Sequence, residues 1–121
     1  MDTHNHEQLF DLSYLNQIFQ GNQEMINSII QLFLEQVPEY IKEMQDCVDR
    51  NDLLSLHPLA HKAKSSVAML GLKSMEGNIV QIEQDSKHNE NLDGLPLLVG
   101  NVRSECDVVY SQLRLVLTGA A

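Results

Sequence analysis

Basic residues are scarce: 8 lysines and arginines stand against 17 acids in 121 residues, for a formal charge of -9. A field of that sign repels phosphate backbones and anionic headgroups, so neither nucleic acid nor a membrane surface is an expected partner. Cysteine is scarcer still, with Cys47 and Cys106 lying 59 positions apart, a spacing that suits neither a metal knuckle nor a redox pair. Both fall among apolar residues at helical spacing and read as small buried hydrophobes, with no disulfide expected in a reducing compartment. Six Gly and three Pro are too few for a disordered or fibrous chain. No apolar run approaches the roughly 18 residues of a membrane span. The start, Met1 to Glu7, has neither a basic n-region nor an apolar h-region, and a cytoplasmic protein is expected.

Strand signals are missing as well. No segment alternates apolar and polar residues with β-branched and aromatic enrichment, whereas apolar residues recur at steps of three and four almost throughout. Asp11 can cap a short first helix carrying Leu12, Leu15 and Phe19, which Gly21 and Asn22 interrupt. A long second helix carries Ile26, Ile30, Phe33, Val37, Ile41, Met44 and Val48, and Pro38 inside it is expected to bend rather than break it, because the stripe keeps its phase. A third helix runs from Leu53 through Leu56, Ala60, Ala63 and Val67 to Leu70, with Gly71 as a left-handed stop. A fourth bears Leu72, Met75, Ile79, Ile82 and Ser86, with Gly77 in its interior. After the polar run Lys87 to Gly94, Pro96 suits the first turn of a last helix carrying Leu95, Leu98, Val102, Cys106, Val109, Leu113 and Val116. The expected fold is all-α: an antiparallel up-and-down four-helix bundle with a short N-terminal capping helix. Residues 1–10 are expected to be a flexible tail and 11–118 a single domain.

The third helix differs from the rest of the chain. From Leu53 through Met75 there is no Asp or Glu, where proportion would give about three. The same window holds His57, His61, Lys62, Lys64 and Lys73. With Ala60 and Ala63 in the seam, His61 projects from the flank, and Lys64, Ser65 and Ala68 share its face. A neutral imidazole there can be a nucleophile toward phosphorus, and a neighbouring lysine disfavours the protonated, non-nucleophilic form. The Lys64 ammonium can offset the charge of a transferred phosphoryl group.

The stretch Ala60-His61-Lys62-Ala63-Lys64-Ser65-Ser66-Val67-Ala68-Met69-Leu70-Gly71-Leu72 resembles the signature of histidine-containing phosphotransfer (HPt) domains, approximately A-H-x-L-K-G-S/A-x-x-x-L-G. The Ile82-Glu83 pair, the helix with Phe33-Leu34 and Pro38, and the short leading helix extend the likeness over roughly residues 12 to 117. The resemblance implies a phosphoryl carrier of a multistep two-component phosphorelay. His61 would accept phosphate from a receiver-domain aspartate and pass it to another receiver, with Lys64 stabilising the phosphoryl group. Ser65 stands where the family usually has Gly, so it either narrows the approach or contacts the phosphoryl oxygens; Ala63 replaces a larger aliphatic residue.

There is no Gly-rich phosphate loop, no nucleotide signature and no carboxylate cluster at Mg²⁺ spacing near His61. The chain is therefore expected to bind no cofactor and to have no kinase activity of its own, with Mg supplied by the receiver. Expected partners are response-regulator receiver domains and a hybrid sensor histidine kinase, met by a monomer through His57, Lys62, Ala68, Met69 and Leu72; Gly71 is structural. Two other readings compete. His57-Pro58-Leu59-Ala60-His61 has the four-residue spacing of a helical metal pair, but Pro58 stands where a metalloprotease has its general base and is expected to push His57 out of helical torsions. No metal site is expected, and His4 and His6 read as part of a solvated tail. The alternative function is a helical adaptor that binds a receiver or partner helix without transferring anything.

Overall fold

The computed structural model describes residues 7–119. In order come α1 (Ser13–Ile18), α2 (Gln23–Asp49), α3 (Leu56–Met69), α4 (Lys73–His88) and α5 (Leu95–Thr118), with 3₁₀ turns at Leu53–Ser55 and Leu92–Gly94. No strand occurs among the described residues. Helices α2 to α5 form a ring, each packed on the next and α5 closing on α2. This is the all-α four-helix bundle that the periodicity predicts, preceded by a short helix.

The seam is the one the spacing marks, with local exchanges. In α2 the buried residues are Ile26, Ile30, Phe33, Leu34, Val37, Ile41, Met44 and Cys47. Cys47 thus occupies the last buried position in place of Val48, which is half-buried. Pro38 lies within one unbroken helix. In α5, Val99 is buried and Leu98 only partly so. Both cysteines are free and buried, and burial pushes the Cys106 thiol up to about 11.

The third helix begins later than its periodicity suggests, because Leu53–Ser55 forms a 3₁₀ turn. Pro58 is the third residue of α3, where a backbone N–H would have no intrahelical acceptor, so the ring costs no hydrogen bond. His57 is accordingly helical, and the expectation that Pro58 expels it from the helix is corrected.

Gly71 ends α3. It has φ +64°, its N–H bonds the Ala68 carbonyl at 3.0 Å, and the Leu72 N–H reaches back to Val67 at 3.2 Å, the paired bonds of a Schellman stop. A Cβ at Gly71 would stand 2.5 Å from the Asp11 carbonyl oxygen, so the position excludes any side chain on two grounds. The Asp11 N–H in turn donates to the Leu70 carbonyl at 2.9 Å.

That contact fixes where the N-terminus goes. At about 1.5 Å per residue, α2 with 27 residues and α5 with 24 outrun α3 with 14. Helix α1 joins the core through Leu15, which is fully buried. The N-cap residue of α1 is Leu12, which makes no side-chain cap bond, and not the expected Asp11; Asp11, one residue ahead, accepts through Oδ1 from the Ser13 N–H at 2.9 Å and the Ser13 hydroxyl at 2.6 Å. Residues 1–6 of the expected tail lie outside the described residues. Glu7 to Phe10 are held: Phe10 is buried, the Leu9 N–H donates to Gln112 Oε1 at 3.0 Å, and Gln112 Nε2 donates to the Glu7 carbonyl at 2.8 Å. Packing therefore begins ahead of Asp11.

Candidate functional site

His61 stands near the middle of α3 on the flank that faces α4. The buried residues Ala60, Ala63 and Val67 set the inward direction. A helix turns about 100° per residue, which places His57, His61, Lys64 and Ala68 on the α4 side and Lys62 and Met69 on the α2 side. The His61 side chain is 67% exposed.

Beneath it lies a carboxylate that sequence reasoning quoted without giving it a role. Glu83 of α4 is buried, with its side chain 6% exposed, and each of its oxygens meets a different residue of α3. Oε2 is 2.7 Å from His61 Nδ1, and Oε1 accepts from Lys64 Nζ at 2.7 Å. The ammonium of Lys64, helped by the His61 ring, holds the Glu83 carboxyl below the usual carboxylate range although burial opposes this. Glu83 is therefore ionised at neutral pH and can only accept. The hydrogen between it and the imidazole belongs to Nδ1, which leaves Nε2 as the ring nitrogen turned outward.

The electrostatics of the site are corrected accordingly. Lys64 is not a bare cation beside the histidine; it is half-buried and paired. The acid-free window holds along α3, yet the neighbouring helix supplies a negative charge within it. The signal that marks Glu83 is the resemblance that quotes it and its place beside the inward-facing Ile82. No count of acids along α3 reveals it.

The other expected site residues divide. Ser65 and Ala68 are exposed, Ala68 on the His61 flank and Ser65 on the outer face. His57 is half-buried one turn before His61. Lys62 lies across α3, with Nζ 5.9 Å from the centroid of the Tyr40 ring in α2. Met69 is partly buried against the core. Leu72 is 1% exposed, because it precedes α4 and closes the Schellman stop inward; its assignment to the partner surface is corrected. Gly71 has the structural role expected of it.

Among the described residues no three His, Cys, Asp or Glu side chains are grouped so as to hold a metal ion, and no helix is long and apolar enough to cross a membrane. The site is thus an exposed imidazole with one nitrogen held by a buried anion and an ammonium one turn along. Such a group can take up an electrophile at Nε2 while its proton stays in place at Nδ1.

Comparison with curated proteins and with solved structures gives no match. A family model, described as the Hpt domain, matches residues 28–113. That span takes in most of α2, all of α3 and α4 and most of α5, with His61, Lys64 and Glu83 inside it, and the chain belongs to the Hpt domain family, whose members carry phosphoryl groups in two-component phosphorelays.

Proposed function

We propose that the chain is a phosphoryl carrier that accepts phosphate on His61 Nε2 from a receiver-domain aspartate and passes it to another receiver. The observation that supports this most is the pairing of Nδ1 with Glu83 at 2.7 Å on a ring that is 67% exposed. One nitrogen is held in the protein and the other is left for a visitor.

In the forward step the Nε2 lone pair forms a bond to phosphorus as the bond from phosphorus to the aspartyl oxygen breaks, and the receiver's carboxylate leaves with the electron pair. No proton needs to move, since Nδ1 already carries the only one on the ring. Lys64 keeps donors free beyond the one that Glu83 occupies, and these can meet the phosphoryl oxygens. Ser65, four residues from His61, brings a hydroxyl to the adjoining outer face, while His57 and Ala68 extend the docking surface along the α3–α4 flank. Lys62 and Met69 border that surface from the α2 side. The receiver would bring the magnesium ion and its charge stabilisation, and this chain the placed nucleophile. A hybrid sensor kinase upstream and a response regulator downstream fit this role, with the chain acting as a monomer.

Incubation with a receiver domain phosphorylated on its aspartate tests the reading. Acid-labile, alkali-stable label is expected on the wild-type chain, with none on His61→Gln, whose helicity by circular dichroism should be unchanged because the side chain is exposed. Full labelling of that variant would remove His61 from the role.

A further inference from the structure

Among the described residues Glu83 is one of three buried polar or charged side chains, with Asp85 and Ser86. A buried carboxylate carries a desolvation cost that only well-made partners offset, and Glu83 spends both oxygens on the reactive histidine and its lysine. An apolar residue or a neutral amide there would fill the seam between α3 and α4 without that cost, so core packing does not account for a charge under His61.

We propose that Glu83 is a positioning residue that acts on the departure of phosphate. By holding the hydrogen on Nδ1 it keeps the phosphorylated ring cationic, the form from which imidazole leaves most readily, so the site is built to pass phosphate on rather than to store it. This rests on the reading of His61 as the acceptor.

A ring bonded to phosphorus at Nε2 and hydrogen at Nδ1 is a phosphoimidazolium. When an acceptor oxygen attacks phosphorus, the Nε2–P bond breaks and its electron pair returns to the ring. Neutral imidazole leaves with its Nδ1 proton in place. A receiver carboxylate becomes an acyl phosphate, and water yields inorganic phosphate. If Nδ1 loses its proton first, the leaving group would be an imidazolide anion, and departure slows. The carboxylate of Glu83 opposes that loss through a charge-assisted hydrogen bond whose carboxylate end is buried. The groups facing the cluster are Lys64 on α3, which bonds Glu83 directly, His57 one turn before His61, and Lys87 one turn beyond Glu83 on α4. No charged group of α2 or α5 bonds to it among the described residues.

The test uses potassium phosphoramidate as the phosphoryl donor, identifies the His61 resonance as the one missing from His61→Gln, and follows its loss by ³¹P NMR across pH. Folded wild type should retain the fast-losing form to higher pH than the same phosphorylated chain unfolded in urea, a comparison that needs no variant. Glu83→Gln keeps an acceptor for Nδ1 but removes the charge, and should shift the profile toward lower pH by about one unit. Folded and unfolded wild-type profiles that superpose, or a Glu83→Gln profile that coincides with the wild type's, would overturn the proposal. With a phosphorylated receiver as donor, absence of label on the wild type, or label persisting on His61→Gln, would instead overturn the acceptor reading beneath it.

Discussion

Glu83 and Asp85 lie two residues apart on α4, both buried, yet they face opposite flanks and serve different ends. Glu83 turns to α3, where it bonds a lysine and a histidine. Asp85 turns toward the loop into α5 and bonds only neutral amides: Gln81 Nε2 at 2.8 Å, and Asn91 Nδ2 at 3.5 Å. Its backbone carbonyl accepts from Glu90 N–H at 2.8 Å, just after the left-handed Asn89. One acid ties two helices together through charges at the reactive residue, and the other helps close a turn. The difference teaches that burial of a carboxylate does not by itself mark a site; the chemistry of its partners does.

The comparison breaks most visibly in transfer. Glu83→Ala should slow phosphoryl transfer through His61 about tenfold, the scale of one charge-assisted hydrogen bond, whereas Asp85→Ala should leave the rate unchanged. Equal losses measured with one phosphorylated receiver would erase the distinction. Removing the partner is next in size: Lys64→Met leaves a buried carboxylate with His61 alone and should cost about 1 kcal/mol in urea unfolding, with helicity retained.

Acidity sharpens the contrast. The carboxyl of Glu83 is held below its ordinary value of 4.5 by Lys64 first and His61 second. A group depressed in the folded state contributes stability that is present above its unfolded value and lost as pH falls through the folded one. Stability should therefore fall as pH drops below about 4.5, and Glu83→Gln should make that acid limb shallower in urea titrations at successive pH. The smallest effect belongs to Asp85→Asn, which keeps an oxygen for the neutral donors and should change stability by about 0.5 kcal/mol.

Much of this architecture is legible in the chain. The steps of three and four place Ala60, Ala63 and Val67 inward and so throw His61 outward, since a helix couples spacing to direction through local backbone geometry alone. Gly71 is legible for the same reason, because a left-handed stop needs a residue without Cβ. The misreadings arise where neighbours decide. Spacing alone makes Leu72 a rim residue, and the Schellman stop folds it inward. Pro58 expels His57 only if it lies inside the helix; it lies in the first turn, where a proline removes no bond. The ordered Glu7 to Phe10 depends on Gln112, more than a hundred residues away.

Sequence alone determined the helices, their buried faces and an outward imidazole with a lysine one turn on, because periodicity and capping are local. Tertiary structure alone decided that Glu83, nineteen positions beyond Lys64 and twenty-two beyond His61, lies between them and the core. Its contacts depend on the register of α4 against α3, set by where Gly71 ends one helix and how the buried side chains mesh, and no spacing within a single helix encodes that register.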